Sequence, residues 1–352
     1  MWKDLPQKVA IKIFRYVNTS ANVGQCRLVC QNWQRPADRV MLEKQIILKD
    51  DKDVMRLYKI LCGVPARGGL IKHLRLETQS QNYLLCELLY LAFTPAMERL
   101  EGELLGYGSD ILYEINFKAS GLPSSSFTGL VAIPKPQMFS IMYLNTLVKF
   151  KKSLRRMDID LTNQGILEQK YIMDQLGGFE ALTKLELKMN ISDLTEVDKV
   201  LMHFNDLEEL SIELRSDCYF VMSEGRARIW AANTVKTVKS LKTLRIEGLC
   251  PSDVLEYLIY KYPNVKSFEA IALQVDSPER LIKTILSAKW HEAILRNFDG
   301  ADNLTGTNDN VGFRTLLGRA INHNATAKQA NLYRVIFDDE KIHISWIQNK
   351  IQ

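Results

Sequence analysis

Leu182 to Asn190, LTKLELKMN, decides how the chain is read. Leu185 and Leu187 are two residues apart, the period of a strand, so they share one face while Glu186 and Lys188 take the other. Leu182 adds an apolar anchor three residues upstream. The same aliphatic-x-x-aliphatic-x-aliphatic spacing returns at Ile71/Leu74/Leu76, Leu154/Met157/Ile159, Leu207/Leu210/Ile212 and Leu241/Leu244/Ile246. Weaker copies begin at Met97 and Val265. First positions fall at 71, 97, 154, 182, 207, 241 and 265, with gaps of 26, 57, 28, 25, 34 and 24 residues. The gap of 57 is two units long, which predicts one degenerate copy between 104 and 150.

Helical periodicity fills the gaps, and a serine precedes most helices as a predicted cap. Ser80 precedes Tyr83, Leu84, Leu85, Leu88 and Leu89, and Thr94-Pro95 ends that run. Ser192 precedes Leu194, Val197 and Val200. Ser252 precedes Val254, Leu255 and Leu258, and Ser277-Pro278 precedes Leu281, Ile282 and Ile285. One strand and one helix every 24 to 34 residues resembles a leucine-rich repeat. Leu182 to Asn190 fits the full L-x-x-L-x-L-x-x-N form. Most copies lack the Asn or Cys, and Asn163 and Cys250 sit one position late. The resemblance implies an α/β fold over residues 49–352, a curved solenoid of stacked units with strands on the concave side. Asn297 to Asn310 reads as a loop and Val311 to Ala320 as a helix. Leu332–Phe337 and Lys341–Trp346 read as two strands around an Asp338-Asp339-Glu340 turn, forming a C-terminal cap.

The first 48 residues differ. Val9, Ile13, Phe14 and Val17 mark one helix face after Pro6, a favoured first-turn residue. Val23 to Trp33 reads as a second helix and Ala37 to Leu42 as a third, with Pro36 forcing a break or a new start. Ile46-Ile47-Leu48 reads as extended. Three short helices bury little apolar surface alone, so several of these apolar side chains should face outward as an interface. LPQKVAIKIFRYVNTSANVGQCRLVCQNWQRPA, residues 5–37, resembles an F-box. Leu-Pro, Ile13-Phe14, Tyr16-Val17 and Cys-Arg-Leu-Val-Cys-x-x-Trp fall in the family's order and spacing, and Lys8 stands where the family usually has Glu. The resemblance implies a 1–48 domain of three helices that docks on the acidic Skp adaptor of cullin-based ubiquitin ligases. The adaptor-contacting positions correspond to Leu5, Pro6, Val9, Ile13, Val29, Cys30 and Trp33. Phe14 and Leu28 read as helix–helix core, and Trp33 suits core and interface equally.

Charge agrees with that division. Residues 1–48 hold eight Lys/Arg against three Asp/Glu, while the other 304 carry 38 of each, so the whole net charge of +5 sits at the N-terminus. A basic segment favours an acidic partner. Two basic clusters lie further on, Lys149/Lys151/Lys152/Arg155/Arg156 and Arg226 to Arg245. They read as solvated helix ends or as sites for an acidic or phosphorylated client. Nucleic-acid binding is not expected from a neutral repeat region without aromatic–basic interleaving.

At 46% apolar residues the chain is not disordered, and its most apolar stretch, Leu84 to Phe93, is broken by Glu87 and too short for a membrane span. No apolar signal segment is visible, and six cysteines without a CxxC pair read as reduced thiols of cytoplasm or nucleus. Five scattered histidines give no metal-ligand spacing, and no nucleophile, P-loop or dinucleotide motif is present. No cofactor, metal or catalysis by this chain is expected. The expected function is substrate reception for a Skp–cullin–F-box ligase, monomeric within a hetero-complex. The client would meet outward strand residues, by alternation Arg75, Arg155, Asp158, Glu186, Lys188, Glu213 and Arg245. The competing reading is an F-box/solenoid scaffold acting outside a ligase.

Overall fold

The computed structural model describes residues 5–17, 19–78, 83–104, 108–122, 124–216, 219–274, 276–288, 290–296, 317–319, 332–337 and 341–347. It is a mixed α/β protein whose chain divides into two compact units. One is Met1–Met157 with Phe179–Ala181, the other Asp158–Gly178 with Leu182–Gln352.

The first unit opens with α1 (Gln7–Arg15), α2 (Ser20–Cys26) and α3 (Gln31–Glu43). It continues through β1 (Ile46–Leu48), α4 (Asp51–Gly63), a 3-10 turn at Pro65–Leu70, β2 (His73–Leu76), α5 (Tyr83–Ala92), β3 (Arg99–Leu104) and α6 (Gly108–Ser120). A second 3-10 turn (Ser124–Phe127), β4 (Lys135–Pro136) and α7 (Ile141–Lys149) complete it. Strands β1 to β4 form a parallel sheet in chain order. The strand β5 (Arg156–Asp160) carries the boundary. Beyond it lie α8 (Ile166–Gln175), β6 (Lys184–Asn190), α9 (Leu194–Leu201), β7 (Glu209–Arg215), α10 (Glu224–Thr234), β8 (Thr243–Leu249) and α11 (Ser252–Lys261). Then come β9 (Ser267–Gln274), α12 (Pro278–Ser287), β10 (Glu292–Arg296), β11 (Leu332–Phe337) and β12 (Lys341–Ile347). The eight-stranded sheet has the order β11-β12-β10-β9-β8-β7-β6-β5, with β6 to β10 parallel and β12 antiparallel to both its neighbours. Neither sheet closes on itself among the described residues.

Register explains why the repeated spacing makes a core. Leu185, Leu210, Leu244, Phe268 and Ala293 are paired in one row across β6 to β10, and Leu187, Ile212, Ile246, Ala270 and Leu295 in the next. All ten are buried. A single strand with one helix could not hide such a row; neighbouring copies bury it together. The backbone repeats as well. Two successive N–H groups at each strand start donate to one carbonyl of the preceding copy: Glu208 and Glu209 to Thr183, Lys242 and Thr243 to Glu208, Lys266 and Ser267 to Lys242, His291 and Glu292 to Lys266. In the first unit Glu98 and Arg99 do the same to Lys72.

The copy expected between 104 and 150 is β4, preceded by buried Leu130 and by a bridge from Arg99 to Ala132. Pro134 and Pro136 keep it short, because proline has no N–H for a ladder. A further copy escaped the pattern: Trp290, Ala293 and Leu295, all buried, start and build β10. Its first position is aromatic, and Trp290 stacks on Phe268 at 4.3 Å between ring centres.

Several local expectations are corrected. Pro36 neither breaks nor begins a helix; it lies inside α3, buried, at the sixth position. Its fixed φ suits the helix, one N–H is lost, and the burial of Pro36, Ala37, Val40 and Leu42 outweighs that cost. The second helix is shorter than expected and ends at Cys26, so Leu28 and Val29 sit in a turn before Cys30 begins α3. Asp193, not Ser192, caps α9 by accepting from the Thr195 N–H at 2.7 Å, and Pro251 occupies the cap position of α11. Ser277 caps α12 as expected. Ser80, the Asn297–Asn310 loop, the turn at 338–340 and most of 311–320 lie outside the described residues. Both C-terminal strands form, and they extend the eight-stranded sheet from the β10 edge.

Candidate protein-docking site

The N-terminal helices are built around Ala10, Phe14, Val23, Ala37 and Val40, with Leu5, Ile11, Val17, Cys26, Trp33 and Met41 packed against them. Pro6 starts α1, its carbonyl accepting from Val9 and Ala10 at 2.8 and 3.0 Å. Thr19 caps α2 by accepting from the Asn22 N–H at 3.1 Å. Trp33 meets Phe14 edge-on, with ring centres 5.2 Å apart. This leaves Trp33 half-buried, serving the core while showing one edge.

What remains outside is apolar. Val9 is 42% exposed, Ile13 40%, Tyr16 87%, Leu28 80% and Val29 61%. Val9, Ile13 and Tyr16 are spaced i, i+4, i+7, so they form one stripe on α1. Pro6 is exposed, while Leu5 and Cys30 are half-buried. The seven expected adaptor-contacting residues therefore all lie at or near the surface of one three-helix unit. Phe14 is core as expected. Leu28 is not: the early end of α2 puts it in an exposed turn. Tyr16 and Leu28 join the exposed set, although neither was among the expected adaptor-contacting residues. The i+7 spacing signalled Tyr16, whereas only the end of α2 exposes Leu28.

The rim carries charge. Arg15 and Arg39 both reach Glu43, at 3.1 and 2.8 Å. Burial pushes the Glu43 carboxyl up, but hydrogen bonds from Arg39 and Arg15 outweigh it and hold the group below the usual range. Asp38 is buried and clamps Arg27, at 2.5 Å from its Nε, and Arg67 of the first 3-10 turn. The helical module is thereby fastened to the elements that follow α3.

The expected client residues divide. Glu186 and Arg245 lie in one row of the eight-stranded sheet through Ser211, and Lys188 and Glu213 pair directly in the next. These four share one face. Arg75 is exposed in the other unit and pairs with Glu77 at 2.9 Å, and Arg155 is exposed just before β5. Asp158, expected to point outward, is buried at 7% exposure. Met157, Asp158 and Ile159 of β5 are all buried, so the face that alternation gives to Asp158 is covered as well.

The outward strand face is charged but self-paired. Lys184 reaches Glu209 at 2.7 Å, Lys188 and Arg215 both bind Glu213, Arg245 reaches Glu247 and Glu269, and Arg296 reaches Glu269 at 2.8 Å. The basic clusters are also largely engaged. Lys149 donates to the Asn116 carbonyl at 2.9 Å and to Ser120, and burial lowers its pKa. Arg228 pairs with Glu224 at 2.7 Å and Lys242 with Glu208 at 2.8 Å. Between α8 and α9 lies a cavity of about 540 Å³, walled by Met173, Met189 and Met202 with Lys170, Lys199 and His203 at its edges. Among the described residues no three His, Cys, Asp or Glu side chains converge as metal ligands, and no helix is long and apolar enough to cross a membrane.

Comparison with known families places a name on the first site. The model for F-box-like domains matches residues 2–48. A search of curated proteins finds no match to the chain. The N-terminal module is thus an F-box-like domain, a protein-interaction module of a kind that typically binds Skp-type adaptors.

Proposed function

We propose that this chain, with its F-box-like domain at residues 2–48, is the substrate receptor of a Skp–cullin–F-box ubiquitin ligase. The observation that carries the proposal is the set of solvent-facing apolar side chains, Val9 and Ile13 on α1 and Leu28 and Val29 in the turn before α3, on a module whose own core is already filled. An exposed patch of this kind on so small a module marks a binding face. Leu5, Pro6, Cys30 and Trp33 border it, and the basic charge of the segment favours the acidic adaptor. The remaining residues serve as leucine-rich repeats. This reading is supported by the in-register apolar rows and by the repeated pair of hydrogen bonds at each strand start. The strand face of Glu186, Lys188, Glu213 and Arg245 holds a client, and the ligase supplies the chemistry by tethering. The chain itself is non-catalytic and works in cytoplasm or nucleus.

The test is capture of a Skp-type adaptor and its cullin by the full chain. Ile13 is 40% exposed, so Ile13→Asp should abolish capture while the thermal unfolding of the chain stays within about 2 °C. Leu5→Ala/Pro6→Ala should weaken it. A folded wild type that captures no adaptor rejects the proposal. Adaptor capture without cullin selects the scaffold reading.

A further inference from the structure

The helices α5 and α6 pack side by side and expose an unusual set of side chains. Tyr83 is 75% exposed, Tyr90 46%, Tyr113 56% and Phe117 60%. Surface helices more often show Lys, Glu or Gln at such positions. The rings are grouped, not scattered. Tyr113 and Phe117 are stacked one turn apart, with centres 6.4 Å from each other. Tyr83 donates to Glu87 at 2.6 Å and lies in the field of Glu114, so the two helices meet there; the carboxylates push the phenol up.

The charged residues of these two helices are net acidic. Glu87 is the only charged residue of α5, and α6 carries Asp110 and Glu114 against Lys118. Lys118 is already committed. Its Nζ sits 4.4 Å over the Tyr90 ring and donates to the Phe93 carbonyl at 3.4 Å. Burial lowers its pKa. The face thus holds one cation against an aromatic ring through its own chain, and further rings and carboxylates lie beside it.

We propose that the outer face of α5 and α6 docks a basic protein segment, with Arg or Lys side chains laid on the rings of Tyr83, Tyr113 and Phe117 and neutralised by Glu87 and Glu114. Cation–π contact with adjacent carboxylates is the chemistry that the face offers. Nucleic acid is disfavoured, since the same carboxylates repel phosphate. The proposal is independent of adaptor docking, which uses α1 and the turn before α3.

The test uses the full chain and fluorescence anisotropy with three labelled twelve-residue probes, alternating Arg-Ala, Gln-Ala and Glu-Ala. The arginine probe should bind at least tenfold tighter than the glutamine probe, and the glutamate probe should not bind. Tyr113→Ser/Phe117→Ser should weaken the arginine probe at least fivefold without changing its salt dependence. Glu87→Gln/Glu114→Gln should weaken it and flatten that dependence. Lys184→Ala/Glu209→Ala, on the strand face of the second unit, should leave binding unchanged. Circular dichroism and melting of each variant are compared with wild type, so that a loss of binding is read only where the fold is kept; Tyr113, Phe117 and Glu209 are exposed and Glu87, Glu114 and Lys184 half-buried. Equal binding of all probes, or binding that both α5/α6 double variants retain, overturns the proposal. A concentration-dependent dimer that both variants dissolve assigns the face to a second copy and overturns it too.

Discussion

Asp38 shows what one side chain does for the N-terminal module. The residue is 3% exposed, its carboxylate held between Arg27 in the turn after α2 and Arg67 in the 3-10 turn that follows α4. Both guanidiniums are themselves largely covered, with side-chain exposures of 22% and 20%. Replacing one member of a buried ion set leaves the others charged and unpaired, so the loss exceeds the worth of the contact. Asp38→Ala should therefore destabilise the first unit by about 3–5 kcal/mol in urea unfolding. The double variant Asp38→Ala/Arg67→Ala should cost less than the sum of the singles, and strict additivity would refute the coupling. No sequence pattern joins Asp38 to a residue 29 positions away, and a helix-surface Asp reads as solvated. The apolar positions of the same helices were legible because burial follows periodicity. Leu28 was misread because its position depends on where α2 stops, and capping fixes such limits less firmly than periodicity fixes faces.

At the scale of elements, the parallel strands accept side chains on both faces but need close backbone approach at a few points. Gly102 in β3 has φ +122°, and a Cβ there would lie 2.1 Å from the Leu76 carbonyl oxygen of β2. Gly248 in β8 has φ +81°, with the Leu214 oxygen of β7 at 2.7 Å from such a Cβ. Backbone sets both distances, so no rotamer change relieves them. Gly102→Ala should cost at least about 2 kcal/mol and Gly248→Ala less, ranked by thermal unfolding of the full chain. Both φ and the carbonyl contact rank Gly102 as the costlier site, so the reverse order would refute the account. Element identity was well marked in the sequence: each strand covers the last two positions of an apolar triplet and starts two residues after its first, and Ser277-Pro278 opened α12. The copy interrupted by prolines and the copy whose first position is aromatic were not visible as triplets. β4 was only inferred from the 57-residue gap, and β10 was missed. In both, the ladder and the buried row persist while the residue types that advertise them have changed. Asp158 failed for another reason: alternation assigns it a face but does not say whether that face is open to solvent, and β5 buries three residues in succession.

For the whole molecule, the distribution of charge and core assigns different physics to different surfaces. The net charge of +5 is carried by the F-box-like segment, so association there should quicken at low salt. The strand face of the second unit pairs its own acids and bases, and a partner that lands on it must either displace these pairs or contact them as neutral groups. Binding there should depend on salt far less than adaptor binding does. The apolar cores are equally separable. Every residue assigned to the adaptor lies in the first unit, while Leu244 is wholly buried in the second, in register with Leu210 and Phe268. Leu244→Ala should cost about 2–5 kcal/mol in that unit, because a row shared between copies cannot collapse around a missing side chain. It should leave the adaptor dissociation constant within twofold of wild type. If Leu244→Ala instead weakened adaptor capture as strongly as Ile13→Asp, the adaptor face could not be confined to α1 and the turn before α3. Adaptor binding would then depend on the core of the second unit, and the assignment of adaptor and client to separate units would fail.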